Sequence, residues 1–284
     1  MKWRGRRGSR NIEDRRRMGG GAAVGGVGGL GLLAIVVIGY LLGIDVTPLL
    51  DGAGPDRIST QGTTEITAAD EEAAQFVSVT LADTEEIWTA VFTEQLGGDY
   101  VPPILVLYKG VTQSPCGSAS GATGPFYCPS DRKVYLDTDF FVTMERDLGA
   151  GGDFAAAYVV AHEVAHHVQD ELGILGEANR YRAQVGAAES NAVSVRIELQ
   201  TDCFSGIWAR RADEAFGSLE HDDIREALNA ARQIGDDRLQ RSAGRVPQPH
   251  TFTHGTSDQR QRWFARGYET GALDACDTFS AQRL

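Results

Sequence analysis

Two histidines four residues apart, His162 and His166, stand in this sequence with Glu163 directly after the first of them. On an α-helix, side chains four positions apart lie on one face, one turn above the other. Both imidazoles can therefore bind one zinc ion, each at about 2.0–2.1 Å. Glu163 projects beside them, where it can take a proton from a zinc-activated water. The His-Glu-x-x-His spacing therefore predicts a hydrolytic zinc site.

The residues around this motif have the pattern of a buried helix. Apolar side chains recur at helical spacing, and Glu163 is the only charged residue between Asp153 and Asp170. We expect Asp153 to cap the N-terminus of this helix and Gly173 to cap its C-terminus. A buried helix can stand beside a metal ion. The alternative is a chance match on an ordinary amphipathic helix.

A catalytic zinc site needs a third protein ligand and one open position. No histidine follows the helix at the required spacing, so the candidates are carboxylates. Glu198 has a second acid, Asp202, four residues later on the same face of an apolar helix. We predict that Glu198 binds zinc and that Asp202 accepts the second ring N–H of a ligand histidine. Glu171 lies five residues after His166 on the same helix and points off the ligand face. Glu177 and Glu189 are other possible ligands, but neither has a second acid four residues later.

A basic segment is followed by a long uncharged one. Residues 1–17 hold eight basic and two acidic residues, whereas residues 18–44 hold no charged residue at all. These 27 positions can cross a bilayer core, which needs roughly 20. The flanking arginines predict a cytoplasmic N-terminus and a single-pass signal anchor in the inner membrane. A cleaved signal peptide is the alternative, although no Ala-x-Ala site follows.

The rest of the chain divides into a linker and one large domain. Residues 45–69 are rich in turn-forming residues and are predicted as a linker. Residues 70–284 combine several helical patterns with strand patterns at 103–108 and 133–137. We therefore predict an α+β fold, a mainly helical catalytic domain with a small sheet, preceded by one N-terminal transmembrane helix. We place the domain outside the cytoplasm.

The charge pattern favours a membrane over nucleic acid as a partner. The net charge is −12, and the basic residues of 1–17 are followed directly by the uncharged span. A nucleic-acid-binding tail is therefore only a minor alternative. Glycines in the span could allow close helix packing and self-association, although a merely permissive leader is the alternative.

Four cysteines are present, and none forms a Cys-x-x-Cys pair, which argues against a structural zinc knuckle. Disulfides are allowed if the domain lies outside the cytoplasm. We predict a Cys116–Cys128 pair across a Gly/Ser-rich loop. We also predict a Cys203–Cys276 pair that ties a helix of residues 189–212 to the C-terminal region. Four buried free thiols are the alternative.

Several stretches resemble the bacterial family of "putative neutral zinc metallopeptidases", membrane-anchored proteins of the gluzincin kind. They are the Arg-rich start with its Gly-rich span and residues 124–129, 134–137, 162–169, 198–203 and 253–260. The resemblance implies a zincin-like α+β fold and one catalytic Zn²⁺ ion. It also places His254 and Arg260 where related gluzincins keep a histidine near the active site. His254 is therefore a candidate catalytic residue that stabilises the oxyanion.

Residues and resemblance together predict a membrane-anchored zinc metalloendopeptidase acting on a peptide or protein. Glu163 is the predicted general base and later returns the proton to the leaving amine. The strand of residues 134–137 could line the cleft and pair with an extended substrate, although we favour a structural strand. His167 points away from the zinc and is expected to be structural. The alternative function is a catalytically silent, membrane-tethered zinc-binding scaffold or binding module.

Overall fold

A computed structural model describes residues 1–17, 65–120, 124–146 and 149–284. Helices predominate in these ranges and a small sheet accompanies them, as the α+β prediction requires. The helices are α1 (Ala68–Val91), α2 (Phe140–Arg146), α3 (Asp153–Glu171), α4 (Ile174–Arg182), α5 (Ala187–Phe216), α6 (Asp223–Gln233), α7 (Asp236–Ser242) and α8 (Ser257–Thr270). The strands are β1 (Ile12–Asp14), β2 (Ile104–Tyr108), β3 (Val111–Ser114), β4 (Gly117–Ser120), β5 (Phe126–Cys128) and β6 (Lys133–Asp137).

The described residues form a main sheet of four strands in the order β1-β2-β6-β5. β1, β2 and β6 run parallel, and β5 is antiparallel to β6. The strands β3 and β4 form a separate hairpin. β6 therefore lies between two partners that already use its backbone hydrogen bonds. The structure therefore excludes pairing of residues 134–137 with an extended substrate and confirms the favoured interpretation, a structural strand.

Residues 1–17 are built into this fold instead of extending from it as a separate tail. β1 is a parallel neighbour of β2. Arg6 donates two hydrogen bonds to the Asp83 carboxylate, at 2.6 and 2.7 Å. Trp3 is buried and packs edge-on against Phe76 of α1. The charge pattern predicted a basic tail. Charge gives no information about strand pairing, so the pairing of β1 with β2 could not be predicted from it.

Residues 18–44, with the glycines considered for self-association, lie outside the described residues, as does most of the 45–69 linker. No helix within the described ranges is long and apolar enough to cross a membrane. α1 starts at Ala68, slightly before the predicted domain boundary. Thr67 and Asp70 form a reciprocal capping box there, which satisfies the first backbone N–H groups.

The long helices α3, α5 and α8 form the core that positions the candidate site. α3 packs against α5, and α8 lies along α5. At the α5–α8 crossing, a Cβ atom on Gly206 or Gly267 would collide with the backbone of the opposite helix. Only glycine permits so close an approach, because it has no side chain to separate the backbones.

The ends of α3 differ in detail from the sequence prediction. Gly152, not Asp153, is the N-cap residue of α3, and no side chain caps it. Asp153 instead pairs with the Met1 amine at 2.8 Å. Gly173 follows the last turn with a left-handed φ of 74°, a common way for a helix to end.

Both predicted disulfides are present. Cys116 and Cys128 are joined, with Cα atoms 5.8 Å apart. Cys203 of α5 is joined to Cys276, with Cα atoms 5.6 Å apart. The second bond closes a separation of 73 residues and fastens the segment after α8 to α5.

Candidate metal centre

Helices α3 and α5 bring His162, His166 and Glu198 together. Their possible ligand atoms all lie within 4.8 Å of one another. His162 Nε2 lies 3.1 Å from Glu198 Oε2, and His166 Nε2 lies 3.5 Å from Glu198 Oε1. Two imidazole nitrogens and one carboxylate form a donor set that suits a catalytic zinc ion. The residues present therefore fit the metal that the sequence predicts.

The second nitrogen of each ligand ring is also held. His162 Nδ1 lies 3.1 Å from Asp202 Oδ1, an ion-pair distance rather than a well-aligned hydrogen bond. His166 Nδ1 lies 3.1 Å from Gln169 Oε1 and 3.2 Å from Thr201 Oγ1. An Nδ1–H facing these oxygens leaves the lone pair on Nε2, which faces the site.

Sequence reasoning found one of these supporting residues and missed the others. Asp202 was identified by its spacing from Glu198. Gln169 follows His166 by three residues, so helical spacing could have placed it beside that ring. Tyr158 precedes His162 by four residues and Thr201 follows Glu198 by three, so helical spacing also places them near the ligands. Spacing does not specify which side chain on the opposite helix each of them contacts.

Asp202 is the most tightly held carboxylate of the site. It is fully buried, and Arg260 of α8 donates to both of its oxygens, at 2.8 and 2.9 Å. The Tyr158 hydroxyl donates to the same carboxylate. Burial alone would raise the pKa of Asp202, but the charges of Arg260 and His162 lower it. Asp202 is therefore held as an anion behind the His162 ring.

The carboxylates make this point of the fold favourable for a positive charge. Burial alone would lower the pKa of His162, but Asp202 and Glu198 raise it to about 9. Burial alone would raise the pKa of Glu198, but the charges of His166, His254 and His162 hold it well below its ordinary value. An anionic centre surrounded by imidazole nitrogens is the electrostatic setting of a cation site.

A second group of acids lies close together, but it is already neutralised in part. Asp153, Asp223 and Glu226 could present ligand atoms to one ion. The Met1 amine instead pairs with Asp153 at 2.8 Å and with Asp223 at 3.2 Å. We infer no metal there.

Glu163 lies with the three candidate ligands on the wall of a cleft of about 590 Å³. The other wall residues are mostly apolar and include Phe140, Met144, Val159, Leu175, Ile197 and Ile234. An apolar cleft with a few converging polar groups is the usual form of a small-ligand or peptide site. Gly124, Pro125, Phe126 and Tyr127 also line it. β5, an edge strand among the described residues, therefore lies beside the candidate metal ligands.

His254 lies on the same cleft wall, with 47% of its side chain exposed. Its Nδ1 atom lies 3.3 Å from Asp236 Oδ1. Burial alone would lower the pKa of His254, but the charges of Glu198 and Asp236 raise it. The structure thus brings His254 into the cleft, where a protonated ring can face a substrate.

His167 has the structural surroundings expected for it. The ring is buried, with Nε2 2.7 Å from the Val101 carbonyl oxygen and Nδ1 3.1 Å from the Tyr127 hydroxyl. Both nitrogens are occupied away from the candidate ligands.

Comparisons with known proteins match the chain to one family and to several relatives. The family described as "Putative neutral zinc metallopeptidase" matches residues 1–279. "Uncharacterized protein YpfJ" of Escherichia coli K12 is 47% identical over 288 residues, covering 98% of this chain and 99% of that protein. "Uncharacterized protein Rv2575" of Mycobacterium tuberculosis H37Rv is 44% identical over 223 residues, covering 75% and 74% of the two chains. No solved structure matches the chain.

Proposed function

The chain belongs to the "Putative neutral zinc metallopeptidase" family, and on this premise we propose that it hydrolyses peptide bonds with one zinc ion. One observation carries the proposal. The Nε2 atoms of His162 and His166 converge on the Glu198 carboxylate, while other residues hold the opposite ring nitrogens. This is a prepared three-ligand centre on the wall of a cleft.

Glu163 is the proposed general base. His162, His166 and Glu198 would hold the zinc ion, which when bound would supply Lewis-acid activation of a water molecule and of the substrate carbonyl. The Glu163 carboxylate accepts the proton of the attacking water and then gives it to the leaving amine. The apolar residues of the cleft wall lower the local polarity, which strengthens the electrostatic effect of each charged group.

His254 is the proposed donor to the oxyanion of the tetrahedral intermediate. Asp236 engages its Nδ1 side, so the Nε2 N–H is the one left to face substrate. A ring protonated on both nitrogens is the stronger hydrogen-bond donor, and the neighbouring Asp236 carboxylate favours that form.

We propose β5, in place of β6, as the strand beside which an extended substrate lies. β5 is an edge strand in the described part of the sheet, and its residues line the cleft. Strand addition to an edge gives affinity through backbone hydrogen bonds, whereas the central β6 has none to offer.

Membrane attachment through residues 18–44, self-association through their glycines, and an extracytoplasmic domain remain predictions. The two disulfides support an oxidising compartment, because such bonds persist mainly outside the cytoplasm.

Replacement of Glu163 by glutamine tests the proposed chemistry. Glutamine has nearly the same shape but cannot accept the proton, so we expect zinc to be retained and hydrolysis to fall by roughly 10²–10⁴ or more. The measurements are metal content and cleavage of a peptide library, with and without a chelator. The exposed Glu177 provides a matched control, Glu177→Gln, which should behave as the parent. Parental activity in Glu163→Gln would rule out this mechanism, and a silent scaffold would show no cleavage in any variant.

A further inference from the structure

Arg182, at the end of α4, is a half-buried cation on the cleft wall whose hydrogen-bond partners are neutral. Its Nε donates to Ser190 Oγ at 3.3 Å and its Nη1 donates to Asn179 Oδ1 at 3.0 Å. In the ranges that the structure describes, it has no carboxylate partner. The cleft's other arginine, Arg260, differs because Asp202 neutralises it.

The two neutral partners orient the guanidinium without using up its donors. A guanidinium has five N–H groups in a planar fork. Ser190 and Asn179 take one each, so the Nη2 atom and one N–H of Nη1 remain at the end of the fork. This pair of nitrogens matches the two oxygens of a carboxylate. We propose that Arg182 binds a carboxylate of the peptide substrate, an inference that rests on the proposed function.

The position of Arg182 relative to the metal centre can be read along α5. Ser190, Ser194 and Glu198 are four residues apart and therefore share one face of this helix. Ser190 contacts Arg182, whereas Ser194 and Glu198 line the cleft. Eight residues of helix rise span about 12 Å. An extended peptide covers that length in about three to four residues.

This spacing defines the substrate class. The recognised carboxylate lies about three to four residues from the bond that is cut. It belongs either to an internal aspartate or glutamate or to the free C-terminus of a short peptide. Removal of single C-terminal residues does not fit, because the terminal carboxylate would then lie within one residue of the metal centre.

Matched peptides test the proposal on the zinc-loaded full-length protein. One series places glutamate or glutamine at each position around a fixed cleavable bond, and a second carries a free or amidated C-terminus. We expect the carboxylate form at the matching position to have about tenfold higher kcat/KM, mainly through KM, the scale of one partly exposed charge-assisted pair. Dependence on the side chain or on the terminus identifies the source.

Variants of Arg182 decide whether this residue is responsible. We expect Arg182→Gln to bring the ratio of kcat/KM between the glutamate and glutamine peptides to about one. Arg182→Glu should instead prefer a peptide with lysine at that position over the glutamate peptide. Arg180→Gln is the matched control, because Arg180 is exposed on the same helix and is not part of the cleft wall. It should keep the parental ratio. Equal ratios in the parent and Arg182→Gln would overturn the proposal.

Peptide binding separates this proposal from the proposed hydrolysis. Fluorescence anisotropy of the same labelled peptides, with zinc-loaded Glu163→Gln protein, gives the comparison without turnover. We expect about tenfold tighter binding of the carboxylate peptide, lost when Arg182→Gln is added. If the parent protein cuts no peptide but this difference in binding is found, the proposed peptidase function is wrong and the proposed carboxylate recognition is supported. If the parent protein cuts peptides but binds them equally with and without the carboxylate, the proposed role of Arg182 is wrong and the peptidase function is supported.

Discussion

At the scale of single residues, the candidate site depends on the contacts of the ring nitrogens that face away from it. His162 Nδ1 contacts Asp202, which accepts hydrogen bonds from Arg260 and Tyr158. His166 is backed by Gln169 and Thr201. Residues of this kind fix ring orientation and tautomer, and their loss usually lowers metal affinity by roughly 10–100-fold.

Glu198 and Asp202 should differ in their effect on zinc binding. We expect Glu198→Ala to lower zinc occupancy sharply, because it removes one of three ligands. Asp202→Ala should weaken zinc affinity by roughly 10–100-fold. It should also lower the free energy of unfolding by about 3–5 kcal/mol, because Arg260 is left as a buried, unpaired charge. Metal analysis and denaturant unfolding of the purified variants measure both effects.

The controls for this prediction are Glu177 and Glu189, two of the other carboxylates named from the sequence. Glu177 is exposed, and Glu189 is exposed at the start of α5. Their alanine variants should bind zinc like the parent. The ligand assignment fails if Glu198→Ala keeps full zinc occupancy while Glu177→Ala or Glu189→Ala loses it.

At the scale of elements, α8 serves the site through its close contact with α5. Gly206 and Gly267 let the two backbones approach, and the disulfide of Cys203 fastens the segment that follows α8. This contact fixes the position of α8 along α5 and therefore the position of Arg260 relative to Asp202. A change at the crossing should therefore reach the metal centre without touching any ligand.

Gly267→Ala should show this coupling. Its added methyl group would meet the Cys203 carbonyl oxygen, so one helix must shift. Overpacking of this kind costs about 1–3 kcal/mol, and the shift should weaken the Arg260–Asp202 pair and with it zinc affinity. Thermal unfolding and zinc titration are the measurements. Gly98→Ala is the control, since a Cβ there meets nothing within 4 Å. Unchanged stability and zinc affinity in Gly267→Ala would contradict the proposed contact.

At the scale of the whole molecule, β1 ties residues 1–17 to the domain that carries the site. β1 pairs with β2, and Arg6 pairs with Asp83. A chain that crossed a membrane once between residues 17 and 65 would place β1 and β2 on opposite sides. The β1–β2 pairing and the predicted single crossing therefore exclude each other within one molecule.

Cysteine labelling in intact cells can decide between these two arrangements. Arg10 and Asp258 are exposed residues of the N-terminal segment and of α8. If β1 is paired, Arg10→Cys and Asp258→Cys should react alike with a membrane-impermeant maleimide. Lysed cells provide the control for intrinsic reactivity. Opposite labelling in intact cells would show that residues 1–17 are not docked in the membrane-bound protein.

Local spacing in the sequence was enough to predict the helices of the site and several of their key residues. The four-residue intervals of His162 with His166 and of Glu198 with Asp202 are helical intervals, so each pair had to share a face. The pairing of Cys116 with Cys128 and of Cys203 with Cys276 was also predicted correctly. The α+β class followed from helical and alternating patterns along the chain.

Only the tertiary structure decided which distant groups meet. Periodicity shows which face of an element is buried, but it does not specify the neighbour that covers that face. The pairing of Arg260 with Asp202, the place of β1 beside β2 and the central position of β6 all depend on how separate elements pack. Arg182 is the same kind of case, since its sequence neighbours do not reveal that its charge faces a cleft without a carboxylate partner.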